Sequence, residues 1–351
     1  MSGFIGQGPV QNQNVANKGI FSIEDLNAMR LNSSKHGNYL YYVIVAGGGS
    51  GGWAGWLGGG GGGGGGVRTN MQPNRAGDDF NQVVDKLIPL EAGTYTVTVG
   101  GGGAASTTAN SNANGTDSSI ATPTQGTITA TGGGKGTGES NTASSNNGGS
   151  GGGGAIYSGN QAGGSGATGQ GFPGGTYAGG GGGASGPGSN GIWAGSAPNG
   201  FGGNGLSITG AEIQDRKMGA MADNAACFGG GGGGSVSHSW SSGNDWSTGG
   251  HGGGGSGAKG ATGQSTANSD CNGQAGTAYL GGGGGAAAGH QGGTTPSAGN
   301  GGAGSVIIRI PTNHGFSVST SGSPGTARSD ALEFAEMDTY IFKTSGTLVL
   351  S

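Results

Sequence analysis

The sequence predicts a mainly β and irregular fold, in which a polyglycine-II helix bundle is bracketed by short β-strands and preceded by a short helix. Three observations support this prediction. Glycine accounts for 96 of the 351 residues, the glycines recur in runs, and strand-like segments lead into and out of these runs. This much glycine argues against an ordinary globular core throughout the chain. With 9% charged residues and a net charge of −4, it also lacks the charge typical of a disordered chain.

Composition divides the chain into three segments. Residues 1–45 are ordinary in glycine content and predict an N-terminal attachment segment. Residues 46–304 are glycine-rich and predict a body with variable loops, and residues 305–351 return to an ordinary composition that predicts a C-terminal β cap.

The attachment segment contains one predicted helix and one predicted strand. In "GIFSIEDLNAMRLN", Ser22 is a candidate N-cap with Asp25 at the third helical position, and apolar residues follow at helical spacing, which predicts a helix over 22–32. The following "YLYYVIVAGGG" is aromatic and β-branched, which predicts a buried strand over 39–46 that runs directly into glycine.

Further strands bracket the glycine body. "GTYTVTVGGGG" alternates apolar residues with threonine and predicts a half-buried strand over 94–100, and "GTITATGGGKG" predicts a weaker one over 126–131. "GGAGSVIIRIP" reverses the order, with glycine leading into a strand over 305–310. "GFSVSTSG" and "TYIFKTSGTLVLS" predict the strands of the cap, and the bracketing strands are able to pair with one another.

Eight glycine runs of unequal spacing make up the body, at 58–66, 100–103, 132–134, 151–154, 179–183, 229–234, 252–255 and 281–285. Their loose period and the ten prolines argue against collagen and against a solenoid of fixed repeat. A left-handed helix with three residues per turn leaves its backbone groups unsatisfied, so it is stable only among hydrogen-bonded neighbours. Nine glycines in that form span about 28 Å.

The alternative is that the runs are flexible linkers, which is the simplest interpretation of any single run. The bundle is favoured because the runs recur eight times with aromatic inserts between them, and because no charged residue occurs from Ser140 to Ala211. In a bundle, replacement of Gly62 by Val disrupts packing, whereas in a linker it has no effect.

Several function classes are disfavoured by composition. A pI near 5.6 without a Lys/Arg cluster argues against nucleic-acid binding, no stretch is long and apolar enough for membrane insertion, and residues 1–17 do not resemble a signal peptide. The Gly-x-Ser-x-Gly match at 148–152 is expected by chance in this composition, and Gly136 replaces the Ser or Thr of a phosphate loop. We therefore expect no catalytic residues, cofactor or metal site.

The histidines and cysteines are interpreted as structural. The five histidines, at 36, 238, 251, 290 and 314, lack metal-ligand spacing, and loop positions in solvent are favoured for them. Cys227 and Cys271 are expected to be small buried side chains or free thiols, and a single disulfide between them is the alternative.

The candidate contact residues are aromatic and methionine side chains, together with one aspartate, in polar inserts of the body. Large aromatics and Met on surface loops are common anchors of binding sites, and the alternative is that they cover the glycine bundle or a subunit interface. The candidates are Trp193, Phe201, Met218, Met221, Trp240, Asp245 and Trp246.

The chain resembles the glycine-rich domains of bacteriophage tail-fibre and receptor-binding proteins. The resemblance is carried over about residues 40–310 by "LEAGTYTVTVGGGG", "GTITATGGGKG", repeated "GGGGG" blocks and "GGAGSVIIRIP". It implies a sandwich of polyglycine helices, with loops at its distal end that contact the bacterial surface. The cap "TYIFKTSGTLVLS" departs from this pattern, so the resemblance leaves open which end faces the host.

Together with the sequence observations, the resemblance implies a non-enzymatic virion protein, a tail-fibre adhesin assembled in the host cytoplasm. Its expected partners are other virion proteins, a protein or glycan receptor on the host, and further copies of itself, as in a trimer. One alternative is a capsid or neck fibre whose aromatics lie at subunit interfaces. A second is an ice- or wall-associated glycine-rich protein.

Overall fold

The structure is a computed structural model of the chain. It describes residues 38–55, 57–71, 85–105, 107–108, 111–139, 146–157, 159–191, 200–208, 226–235, 247–258, 271–288, 295–328 and 337–351. The helix predicted over 22–32 lies outside these residues.

The described residues consist of β-strands and irregular segments and include no α-helix, which confirms the mainly β and irregular fold class. No helix in these ranges is long and apolar enough to cross a membrane. The strands are β1 (Tyr39–Val45), β2 (Val67–Thr69), β3 (Ile88–Pro89), β4 (Gly93–Thr98), β5 (Ser118–Thr122), β6 (Gly126–Ala130), β7 (Ile156–Tyr157), β8 (Gly159–Asn160), β9 (Leu206–Ile208), β10 (Ala226–Phe228), β11 (Ser305–Pro311), β12 (Val318–Ser321), β13 (Gly325–Arg328), β14 (Met337–Phe342) and β15 (Gly346–Leu350).

Two of the four bracketing strands, β1 and β11, pair with each other, whereas β4 and β6 lie in a second sheet with β5 between them. β1 lies antiparallel to β11, with Val43 opposite Ile307, and the first sheet has the order β13-β14-β11-β1-β2, with β3 also paired to β1. The second sheet has the order β12-β15-β4-β5-β6. Together the two sheets draw strands from all three composition segments. β1 lies within 1–45, and β4 lies within 46–304 and pairs with cap strand β15, while β5 pairs with β4 and β6 with β5.

A hydrophobic core joins the facing sides of the two sheets into a sandwich. Tyr42 and Ile308 from the first sheet pack with Tyr95, Ile120 and Leu348 from the second. β4 alternates as expected, since Tyr95 and Val97 are buried between exposed threonines.

The opposite face of the first sheet is also covered. Val43 and Ile307 pack there against Leu206 and Phe228 of the small β9-β10 sheet and against Leu280. Because both faces of β11 are buried, all seven of its residues are buried, which explains its continuous apolar sequence.

The glycine body extends from one end of the sandwich, and the run 58–66 is its central segment. The N–H groups of Gly60, Gly63 and Gly66 donate to residues 131–137, those of Gly61 and Gly64 to residues 179–182, and those of Gly62 and Gly65 to residues 281–284, at 2.7–3.0 Å. The direction of hydrogen bonding thus repeats every third residue.

Six segments form a closed inner ring around the central segment. Their order around the ring is 46–52, 131–137, 150–154, 179–184, 229–235 and 281–288, and each is hydrogen-bonded to the next, the last to the first. The central segment donates to three of them and accepts N–H groups from the other three. Its backbone is therefore satisfied by lateral neighbours that are distant in sequence.

Further segments form an outer rim around the inner ring. They are residues 99–105, 111–116, 146–149, 161–167, 171–176, 185–191, 200–205, 247–251, 254–258, 271–277 and 297–304, and they bond both to the ring and to one another. One glycine run differs from expectation. In 252–255, Gly252 and Gly253 have φ of 93° and 97° and form a turn between two rim segments, so this run is not a straight rod.

Candidate binding end of the glycine body

The central segment defines the two ends of the glycine body. At one end Gly66 leads into β2 of the sandwich. At the other, which we call the far end, Ile156 donates its N–H to Gly58 at 2.9 Å and Ser235 donates to Gly59 at 3.0 Å. Ala288 is also bridged to Gly58.

Several sequence stretches outside the described residues are joined to the body at the far end. Gly200 accepts the N–H of Gly234, directly before Ser235, and Ala258 donates to Ala286. Cys271 accepts the N–H of Ala288. The described residues that flank 192–199, 236–246, 259–270 and 289–294 therefore lie at or near this end.

Phe201 is the one candidate contact residue that the structure describes. It follows Gly200 at the far end and is 37% exposed, which makes it one of three exposed large hydrophobic residues in the described part of the chain. The other six candidates lie outside the described residues. These are Trp193, Met218, Met221, Trp240, Asp245 and Trp246.

The candidates divide into two groups by the position of their flanking residues. The stretches that contain Trp193 and the Trp240–Trp246 group are flanked by far-end residues. Met218 and Met221 belong instead to the stretch between Ile208 and Ala226, which are residues of β9 and β10 on the sandwich. The flanks of these two groups thus lie at opposite ends of the glycine body.

A left-handed turn at the far end was missed by sequence reasoning. Tyr177 and Ala178 have φ of 56° and 55°, which is uncommon for residues other than glycine. The turn lies between two glycine-rich segments, and neighbouring Thr176 accepts the N–H of Gly191, the residue before the Trp193 stretch. Nothing in "GGTYAGGG" marks such a turn, because Tyr and Ala are not typical residues for it.

A buried carboxylate at the far end was also missed. Glu139 is 8% exposed and accepts the N–H of Gly55 at 2.6 Å, while its own N–H donates to Trp53 at 3.0 Å. These two bonds fix the chain where it turns between the inner ring and the central segment.

The described residues hold no group of three or more His, Cys, Asp or Glu side chains that could bind a metal ion. Cys227 and Cys271 are both buried thiols, in accord with the first interpretation of them. His251 is exposed, and His314 stacks on Phe316 with ring centres 6.0 Å apart.

An ion pair ties the edge of the first sheet together. Arg68 of β2 donates through Nη2 and Nε to the two oxygens of Asp85, at 2.5 and 2.9 Å. The Tyr42 hydroxyl donates to the same carboxylate at 2.8 Å. The pKa of Arg68 is raised, first by its hydrogen bond to Asp85. Asp85 lies outside β3, so this cluster anchors the chain before that strand.

We expect the protein to lose stability at alkaline pH. Burial, and then the hydrogen bond to Asp85, raise the pKa of Tyr42 above its ordinary 10.0. Because the folded protein holds this proton more tightly than the unfolded chain, the stabilisation is complete below about pH 10 and is lost as the pH rises further. Burial also raises the pKa of Tyr95 and of Tyr340, so these residues contribute to the same loss.

Urea unfolding at about pH 9 and about pH 11 measures this loss. Tyr42→Phe has no proton to lose at this site, so its free energy of unfolding should decrease less over the same interval. Equal decreases in both proteins would contradict the assignment to Tyr42.

A protein-family model described as a glycine-rich domain matches residues 27–311 of the chain. No curated protein and no solved structure is significantly similar to the chain.

Proposed function

This chain belongs to the family of glycine-rich domains, and we propose that its glycine body is a polyglycine-II bundle that displays host-binding segments on a bacteriophage particle. In this proposal the protein is a tail-fibre adhesin that acts by contact and not by catalysis. One observation supports it most directly. The hydrogen-bonded glycine body has the β-sandwich at one end, and at its far end the aromatic-rich stretches join it.

The hydrogen bonding supports the polyglycine-II assignment. A three-residue repeat of bonding direction is expected of a helix with three residues per turn. The central segment has six lateral partners, and none of its glycines is among those with positive φ. A left-handed helix of this class has negative φ and makes no bonds within itself, so it depends on such neighbours.

The hydrogen bonds between distant segments also support a rigid body rather than a flexible tether. Gly62 donates to Gly284 and accepts from Gly232, so one residue connects three segments that lie far apart in sequence. A flexible glycine linker would leave these groups to water. A rigid body keeps the far end at a constant distance from the sandwich, which suits presentation of a binding surface.

The far end supports the choice of contact residues. Exposed Phe201 lies there, and the stretches that contain Trp193, Trp240 and Trp246 are joined there. Tryptophan is enriched among residues that dominate binding energy, and aromatic rings stack on sugar faces as well as on protein. The receptor is thus proposed to be a protein or glycan at the host surface, and the sandwich is proposed to face the particle and its other proteins.

Adsorption of labelled protein to a panel of bacterial cells tests the proposal. We expect the double variant Trp240→Ala/Trp246→Ala to bind at least about 30-fold more weakly, which corresponds to a loss of about 2 kcal/mol typical of anchor residues. Thr96→Ala/Thr98→Ala is the matched control, because these residues are exposed on the outer face of the second sheet and should not affect adsorption.

The opposite result has a defined meaning. Unchanged adsorption of the tryptophan variant, together with its failure to be incorporated into particles, would contradict the adhesin. It would favour a capsid or neck fibre in which these side chains lie between subunits.

A further inference from the structure

Six asparagines on the rim of the glycine body share the same following residue, glycine, and a similar environment. Each is exposed and each is followed by a glycine that is less exposed. In each, Oδ1 accepts a backbone N–H from a neighbouring segment. The pairs are Asn114 with Lys135, Asn147 with Ser165, Asn190 with Thr176, Asn204 with His251, Asn272 with Ser297 and Asn300 with Ala105.

The following glycine completes a two-bond clamp. His251 donates its N–H to Asn204 Oδ1 at 3.3 Å, and its carbonyl accepts the N–H of Gly205 at 2.7 Å. The same pair of bonds joins Asn147 and Gly148 to Ser165, Asn190 and Gly191 to Thr176, and Asn272 and Gly273 to Ser297. At Asn114 and Asn300 the glycine bonds instead to the carbonyl two residues earlier in the neighbouring segment.

The clamp explains why glycine follows each asparagine. A Cβ at Gly205 would lie 2.3 Å from the carbonyl oxygen of Phe228, and one at Gly273 would lie 2.1 Å from that of Gly285. The asparagine therefore faces outward while the next residue faces the packed interior. The side-chain oxygen accepts an N–H for which the described residues show no backbone acceptor, so the clamps complete the lateral hydrogen bonding at these positions.

Asn–Gly is also the dipeptide most prone to loss of its side-chain amide. Water takes the proton of the glycine nitrogen, which bonds to the asparagine Cγ. The Cγ–Nδ2 bond then breaks, and the side-chain NH2 group takes a proton back from water and leaves as ammonia. Water then opens the cyclic imide to aspartate or to isoaspartate. Isoaspartate carries an extra methylene group in the main chain.

Both reacting groups are restrained in the clamp. The asparagine oxygen is bonded to the neighbouring segment, and the glycine N–H that must lose its proton is bonded to a carbonyl. We propose that the six rim Asn–Gly pairs are latent deamidation sites, which the closed glycine body keeps unreactive and which react when the body opens. This proposal is independent of any host-binding role.

Of the two products, only isoaspartate prevents the clamp from closing again. Aspartate retains an acceptor at the same place, as Asp117 does when it accepts the N–H of Gly132 at 2.8 Å. Isoaspartate shifts the following glycine out of register with the carbonyl that it must reach, because the period of three is interrupted. A body that has opened and formed isoaspartate therefore cannot close again at that clamp.

Peptide mapping by mass spectrometry tests the proposal on the full chain. Protein is incubated at mildly alkaline pH in buffer and in urea, with a synthetic peptide of residues 200–208 as reference. We expect each of the six sites to deamidate at least about tenfold more slowly in the folded protein than in urea, because reaction requires local opening. Equal rates in the folded protein, in urea and in the peptide would overturn the proposal.

A second experiment, which measures refolding, separates the effect of isoaspartate from that of the added charge. After incubation in urea, the fraction that fails to refold should follow the isoaspartate content, whereas unaged Asn204→Asp should refold like the unaltered protein. Full refolding of isoaspartate-containing protein would overturn the role of the clamps in closing the body.

Discussion

Gly62→Val is expected to destabilise the protein by more than about 4 kcal/mol, at the upper end of the effects of single substitutions. A Cβ at Gly62 would lie 2.2 Å from the carbonyl oxygen of Gly49 and 2.7 Å from that of Ser50. Both oxygens belong to an inner-ring segment that is itself bonded on other sides. Neither can move without breaking further hydrogen bonds, so the strain cannot be relieved locally.

Gly101→Ala is the matched control within another glycine run. A Cβ at Gly101 would have Thr116 Oγ1 at 3.9 Å as its nearest atom, and the φ of Gly101 is not positive. Its effect should lie within about 1 kcal/mol of zero and should tend towards stabilisation, since alanine restricts the unfolded chain. Urea unfolding measures both variants. If Gly62→Val unfolds at the same urea concentration as the unaltered protein, the run 58–66 is a tether.

Phe228→Ala is expected to cost about 3–5 kcal/mol, the usual range for a buried phenylalanine. Phe228 is fully buried and lies opposite Leu206 in the small β9-β10 sheet. It packs in the core that joins this sheet to the first sheet of the sandwich. Its loss leaves a cavity where the sandwich meets the glycine body.

Phe201→Ala provides the comparison for the same residue type. Phe201 is 37% exposed, so its truncation should cost less than about 1 kcal/mol in stability. If the far end binds the host, this variant should nevertheless adsorb more weakly, whereas folded Phe228→Ala should adsorb normally. The reverse pattern, with adsorption altered only by Phe228→Ala, would place the binding surface near the sandwich.

Sequence alone predicted the strands that have an apolar pattern. β1, β4 and β11 were identified because their buried positions carry Tyr, Val and Ile in continuous or alternating order. β5 and β13 were missed. Apart from Ile120 and Arg328 their residues are small, and they are held as strands by pairing with β4 and β14.

The candidate site was predictable only in part. The exposure of Phe201 agrees with its proposed role, but the sequence did not indicate that Met218 and Met221 are flanked by sandwich residues while Trp193 and Trp240 are flanked by far-end residues. The structural role of the Asn–Gly dipeptides was also not predictable from the sequence. Asn–Gly usually indicates a tight hairpin turn, whereas here it forms a clamp within an extended segment.

What the sequence determined by itself was the chemistry of the body: glycines in recurrent runs, with too little charge for a solvated tail and with strands at the ends of several runs. Which run lies at the centre, which six segments surround it and which run forms a turn were decided only by the tertiary structure. The physical reason is that glycine runs have no side chains to distinguish one neighbour from another. Their register is imposed by the strands they continue, as when the β1–β2 pairing extends into the bond from Ala46 to Gly66.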